Sequence, residues 1–217
     1  MTKQCELFSQ SAIDTLALEK MARKQGYLRV AGVDEAGRGP LAGPVTAAAV
    51  ILPEALRIPG VDDSKKLSPQ KREKMFDLIM SQALSVGIGI VGPEVIDNIN
   101  ILQATRLAML DAIQQLSPTP DFILIDGITT INSAIQQKTV KKGDSLSLSI
   151  AAASIIAKVT RDRMMVEMDI LYPGYGFSGH KGYGSAGHLD AIRVLGPSPI
   201  HRLSFGGVKE HIKCLCS

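Results

Sequence analysis

Two stretches of apolar, β-forming residues, 28–33 and 45–52, flank the glycine-rich segment Gly37-Arg38-Gly39-Pro40 and predict two strands with a tight turn between them. Ahead of them Ile13, Leu16, Ala17 and Met21 recur at helical spacing and stop at Gly26, which predicts a short leading helix over 11–24. Ser68 followed by Pro69 is a helix start, a capping hydroxyl with proline at the first helical position, and it opens an amphipathic run through Met75, Leu78, Ile79 and Ala83. A strand over 86–91, a helix over 101–116 and a short buried strand over 122–125, ending at Asp126-Gly127, follow. Residues 147–171 contain no Pro or Gly and predict one helix about 35 Å long. Its Ala151-Ala152-Ala153 segment would let it lie close to a sheet. Beyond Pro173 glycines recur at 174, 176, 179, 182, 184 and 187, a loop that gives way to a short helix over 188–194. Strands alternating with helices predict an α/β domain with a mixed sheet.

At 217 residues and 45% hydrophobic content the chain can bury one core, so the expected division is a leading helical extension (1–26), one domain carrying the chemistry (27–205) and a short tail (206–217). A net charge of +3 permits a nucleic-acid partner and suits many other proteins equally. No apolar run reaches the roughly 20 residues of a membrane span, and the N-terminus lacks a signal-peptide core, so a soluble cytoplasmic protein is expected. Cys5, Cys214 and Cys216 sit at the two ends and read as plain thiols, neither a disulfide framework nor a metal site.

The candidate chemistry is acidic. Asp34-Glu35 ends one apolar strand and Asp126 another, with Asp144 following in Lys142-Gly143-Asp144-Ser145. Carboxylates at buried strand ends are costly unless they meet water, a cation or a donor. Singly, Asp34 reads as a turn residue and Asp144 as a helix cap. Together they suggest oxygen ligands for a hard divalent cation, the arrangement that phosphodiester hydrolysis uses. Neighbouring strand residues point to opposite faces, so either the strand bends at Asp34-Glu35 or Glu35 contributes its carbonyl. The turn after them has neither the Walker Lys-Ser/Thr nor the dinucleotide fingerprint, which disfavours nucleotide cofactors.

Gly32-Val33-Asp34-Glu35-Ala36-Gly37-Arg38-Gly39-Pro40-Leu41-Ala42-Gly43-Pro44-Val45 resembles the opening signature of the ribonuclease HII family. In family order there follow Asp63-Ser64-Lys65-Lys66-Leu67-Ser68, Asp126-Gly127, Lys142-Gly143-Asp144, residues 150–162, His180-Lys181-Gly182-Tyr183-Gly184 and residues 200–205, so the resemblance spans about residues 28–205. It implies a ribonuclease H-like fold, a central mixed sheet flanked by helices with a short C-terminal helical segment. It also implies Asp34, Glu35, Asp126 and Asp144 as catalytic carboxylates holding Mg²⁺ or Mn²⁺. The turn Gly37, Arg38, Gly39 would contact the ribose 2′-hydroxyl, and Tyr183 would pack on the sugar beyond an RNA-to-DNA junction. The implied activity is two-metal-ion hydrolysis of RNA in RNA–DNA hybrids and 5′ of ribonucleotides embedded in duplex DNA, leaving 3′-hydroxyl and 5′-phosphate ends. A monomer is expected.

Lys65 and Lys66 are the favoured phosphate contacts, within a cluster that includes Lys71 and Arg72, and Lys138, Lys141 and Lys142 form a second cluster. Lys158 and Arg161 would share a helix face or equally pair with Glu167 or Asp162, and His180 and His188 read as loop residues. Two rival classes share some of these features. A binding module without catalysis is disfavoured by four acids that would repel nucleic acid in the absence of metal. A nuclease specific for DNA would have no use for elements that read a 2′-hydroxyl.

Overall fold

The computed structural model describes residues 14–54, 56 and 67–212, so Lys65, Lys66 and the three cysteines lie outside the described residues. Helix α1 (Ala17–Lys24) precedes strands β1 (Val30–Ala36) and β2 (Val45–Ile51); α2 (Pro69–Gln82) leads into β3 (Ser85–Val91), and α3 (Pro93–Gln114) into β4 (Phe122–Asp126) and β5 (Gln136–Val140). Helices α4 (Leu148–Leu171), α5 (Phe177–His180) and α6 (Ala186–Leu195) follow, with 3₁₀ turns at Gly143–Ser145 and Lys209–His211. The strands form one mixed sheet in the order β3-β2-β1-β4-β5, with β2 antiparallel to both its neighbours and β4 parallel to both of its own.

Both faces of this sheet are covered, which is why its central strands are apolar without strict alternation. Ala31, Val33, Ala47, Ala49, Ile123 and Ile125 pack against Ala104, Ala108, Met109 and Ala112 of α3. On the other face Ala48 and Val50 meet Ala151, Ala152, Ala153, Ile155 and Ile156 of α4, with Ile79 of α2 beside them. The alanines let α4 approach closely, and Gly32 sets how closely: a Cβ there would lie 2.1 Å from the carbonyl carbon of Ser149. Gly32→Ala must therefore push α4 off the sheet, and we expect a stability loss of about 3 kcal/mol, read as a lower denaturant midpoint. An unchanged midpoint would mean that α4 has room to spare.

Three elements depart from the pattern-based expectation. β5 has the sequence Gln136-Gln137-Lys138-Thr139-Val140, of which only Val140 is buried; as the sheet's edge it needs backbone pairing with β4 and no apolar run. α3 begins at Pro93 and kinks at Asn100, whose φ of 67° breaks the helix while its side chain accepts hydrogen bonds from the N–H groups of Leu102 and Gln103. The apolar pattern starting at Ile101 is thus the second half of a two-part helix, capped internally. α5 is a single turn inside the glycine-rich loop, too short to carry a periodic signal.

The leading helix is keyed to the domain by one carboxylate. Glu19 is buried, and its Oε1 accepts from Ser147 Oγ (2.6 Å), Ser149 N (3.0 Å) and Ser149 Oγ (2.7 Å) at the first turn of α4. Negative charge is favoured at that end of a helix.

Candidate active site

Because β1 and β4 are parallel with Val33 opposite Ile125, Asp34 and Asp126 emerge side by side at the same end of the sheet. An open cavity of about 390 Å³ lies there, lined by Asp34, Glu35 and Asp126, by Gly37, Arg38 and Gly39, by Arg72, by Ser154 and Lys158 of α4, and by Tyr183. A neighbouring cavity of about 300 Å³ shares Glu35, Arg38 and Asp126 and extends toward Leu102, Thr105 and Met109 of α3.

The strand does not need to bend. β1 stays in regular register with β2 as far as Ala36, with Asp34 on the α4 face and Glu35 on the α3 face, yet both line the first cavity because it opens at the end of the sheet. Neither of the two expected devices, a bend or a carbonyl from Glu35, is required. Asp34 is 4% exposed, and its Oδ1 accepts the Glu35 N–H at 2.7 Å while the Ser154 hydroxyl donates to the same carboxyl group. Burial pushes the Asp34 carboxyl well above its usual range, and the negative charges of Glu35 and then Asp126 push it further. Asp126 is held by a 2.6 Å hydrogen bond from the Gly143 N–H. Glu35 reaches Arg38 at 3.3 Å across the rim.

Asp144 lines neither cavity and is tied to the site through its neighbour Gly143, which donates to Asp126. It is buried in the 3₁₀ turn Gly143–Ser145, one residue beyond the amide that holds Asp126. Among the described residues no three acidic or imidazole side chains converge closely enough to enclose an ion as they stand. The donor set is all oxygen, and the mutual repulsion at Asp34 is the kind a hard divalent cation relieves, so the residues fit such an ion.

The Gly37-Arg38-Gly39 turn is built over a buried cation. Gly37 has φ +94°, and a Cβ there would lie 2.0 Å from Arg161 Nε. Arg161 is 1% exposed and donates to the carbonyls of Pro44, Ala42 and Lys181 (2.9, 3.1 and 2.9 Å), so its charge is spent inside the protein and not on a phosphate. Lys158 pairs with Asp162 at 2.7 Å, one of the two expected partners. Tyr183 is 48% exposed, and its ring lies 3.6 Å from where a Gly39 side chain would begin. Lys138, Lys141 and Lys142 lie on and just after the edge strand β5 and do not line the Asp34 cavity. In the sequence Ser154 and Lys158 are parts of the 150–162 motif; Ser154 interrupts the apolar run 150–157, and the i, i+4 spacing to Lys158 is the signal that puts the two on one face.

His180 ends the single turn α5 within the glycine-rich loop, whereas His188 lies in α6 and pairs with His201. Both are buried, their Nε2 atoms are 3.0 Å apart, and His188 Nδ1 lies 2.8 Å from the Tyr183 carbonyl. His201 Nδ1 accepts from the Ser198 N–H at 2.9 Å, which leaves His201 Nε2–H to donate to His188 and His188 Nδ1–H to donate to Tyr183. Burial, then the neighbouring His188, lowers the His201 pKa from 6.5 to about 4, and burial lowers that of His188; His180 stacks on His188 and disfavours charge on both. A depressed folded value means the unfolded chain binds the proton first, so stability is lost as pH falls below about 6.5 and toward 4. For His201 alone we expect about 2 kcal/mol less stability at pH 5 than at pH 7, measured by denaturant unfolding. A flat profile across that interval would refute the neutral imidazole pair.

The family model described as Ribonuclease HII matches residues 31–208. The chain is 65% identical over 212 residues to Ribonuclease HII of Pelobacter propionicus, covering 98% of this chain and 97% of that protein. The crystal structure of ribonuclease H2 from Pyrococcus horikoshii superposes with a TM-score of 0.72 at 29% identity, covering 84% of this chain and 96% of that one. Bst-RNase HIII in complex with Mn²⁺ shares the fold at a TM-score of 0.61 and 22% identity, covering 85% of this chain and 69% of that one.

Proposed function

The chain belongs to the ribonuclease HII family, an endoribonuclease family that cleaves the RNA strand of RNA–DNA hybrids, and from that membership we propose how this site selects and cuts its substrate. The family depends on divalent metal. In our reading Asp34, Glu35, Asp126 and Asp144 hold two such ions, Mg²⁺ or Mn²⁺. Bound there, the ions supply a nucleophile at neutral pH and charge stabilisation for the leaving oxygen. The observation that carries this is Asp34: a buried carboxyl group that lines one cavity with Glu35 and Asp126, its charge disfavoured first by burial and then by theirs.

The chain's own residues do the remaining work. Gly143 orients Asp126 through its N–H, and Ser154 orients Asp34. Gly37, Arg38 and Gly39 offer backbone at the cavity wall for the ribose 2′-hydroxyl, the group that separates RNA from DNA. Tyr183 offers an exposed ring face for the sugar beyond an RNA-to-DNA junction, and Lys65 and Lys66 neutralise phosphates. Cutting then falls 5′ of a ribonucleotide, including one embedded in duplex DNA, and leaves 3′-hydroxyl and 5′-phosphate ends. We place the protein in the cytoplasm as a monomer; among the described residues no helix is long and apolar enough to cross a membrane.

The test is titration of the protein with Mg²⁺ and, separately, Mn²⁺ by calorimetry, alongside cleavage of an RNA–DNA hybrid. Heat of binding that disappears in Asp126→Asn, with cleavage abolished by chelator, is the expected result. Cleavage that persists in excess chelator would remove metal from the account.

A further inference from the structure

We propose that Arg202 is a positioning residue for ribose recognition: it turns the peptide units of the Gly37–Gly39 segment so that the N–H groups of Arg38 and Gly39 face the cavity. This rests on the reading of that segment as the ribose contact. Arg202 is fully buried, and its guanidinium donates to three carbonyls: Nη2 to Gly37 (2.5 Å), Nη1 to Arg38 (2.9 Å) and Nε to Gly43 (3.0 Å). Its own N–H donates to the Leu41 carbonyl at 2.8 Å, and its guanidinium carbon lies 5.1 Å from the centre of the Phe205 ring. The side chain is therefore fixed from several directions.

The consequence follows from peptide geometry. In a trans unit the C=O and N–H point in opposite directions. The Gly37 carbonyl shares a unit with the Arg38 N–H, and the Arg38 carbonyl shares the next with the Gly39 N–H. Two successive carbonyls drawn down onto one buried guanidinium leave two successive N–H groups turned away from the core, where these residues line the cavity. Among the described residues neither N–H finds an acceptor in the protein. The turn is thus a pair of donors with its acceptors already spent. A hydroxyl oxygen can accept from them, whereas the C–H of a deoxyribose leaves both unsatisfied, and a site built to hydrogen-bond a hydroxyl rejects the analogue that lacks it. Arginine is required because its planar fork spans two carbonyls at once; lysine offers a point charge, and glutamine a shorter reach.

The experiment compares binding, in chelator and without turnover, to a fluorescent DNA duplex carrying one ribonucleotide and to the same duplex made wholly of deoxynucleotides. The ribose-to-deoxyribose affinity ratio of the wild type should fall about tenfold in Arg202→Lys and Arg202→Gln, with all-deoxy affinity little changed, as expected for about 1.4 kcal/mol of lost hydrogen bonding. A merely structural role would weaken both duplexes together, and an unchanged ratio or a parallel loss overturns the proposal. Should the wild type bind the two duplexes equally, the ribose-contact reading itself falls, and the proposal with it. Because a buried arginine is being replaced, the amide protons of Arg38 and Gly39 in ¹⁵N-labelled wild type supply a second measurement independent of any variant. Their resonances should shift with the ribose-containing duplex and not with the all-deoxy one; identical shifts with both overturn the proposal.

Discussion

Asp34→Asn is expected to abolish cleavage and at the same time to raise the melting temperature of the metal-free protein. The two effects have one cause. Asp34 is buried with its pKa raised by desolvation first and by Glu35 and Asp126 next, so its ionised form is less favourable folded than unfolded. The sign follows: a group whose folded value is raised contributes stability below its unfolded pKa and loses it as pH rises through the folded value, so at neutral pH the charge is a cost. Asparagine has nearly the same shape, keeps an oxygen for the Ser154 hydroxyl and carries no charge. It should stabilise the metal-free fold while removing an ion ligand, with turnover falling on the order of a thousandfold or more. Addition of Mg²⁺ should raise the melting temperature of the wild type and leave that of the variant nearly unmoved. A variant that cleaves at the wild-type rate, or melts below it without metal, would show that Asp34 serves the fold and not the ion.

Tyr183→Ala should lower cleavage at RNA-to-DNA junctions on the order of a hundredfold, through lost alignment of the scissile phosphate. Its ring is half exposed beside Gly39, whereas its backbone is held independently, the N–H donating to the His180 carbonyl at 3.0 Å and the carbonyl accepting from His188. The loop therefore keeps its course without the ring, and stability should change by no more than about 0.5 kcal/mol. Tyr183→Phe should retain most activity if ring packing on the sugar outweighs the hydroxyl. The measurement is the cleavage rate of a DNA duplex with one ribonucleotide, with melting followed in parallel. Wild-type rates in Tyr183→Ala would return Tyr183 to the status of a turn residue.

Much of this site is local in the chain, and that is why it was legible. Asp34-Glu35 and the glycine turn adjoin one another, Asp126 ends its own apolar strand, and each stands out against its neighbours by residue type alone. The sheet was readable where burial on both faces demanded apolar runs; β5 was not, because an edge strand of Gln, Lys and Thr satisfies its backbone without a hydrophobic signature. What holds the site in place was hidden for a different reason. Arg161, Arg202, His188 and His201 are chemically ordinary surface residue types, and their partners are mostly backbone carbonyls, such as those of Pro44 and Gly37, far away in sequence. Carbonyls carry no sequence identity, so such a network emerges only with the tertiary structure. Asp144 was named from its motif, and the structure adds that it follows the amide that orients Asp126.

The central claim, that carboxylate-held metal cuts next to a ribose sensed by its 2′-hydroxyl, is tested most directly by the products formed from one substrate pair. A DNA duplex with a single ribonucleotide and its all-deoxy counterpart are incubated with the protein and Mg²⁺, and the ends are identified by mass. The account predicts one cut, 5′ of the ribonucleotide, with a 3′-hydroxyl and a 5′-phosphate, and an intact all-deoxy duplex. Equal cutting of both duplexes, or a 2′,3′-cyclic phosphate signalling attack by the ribose's own hydroxyl, would contradict it.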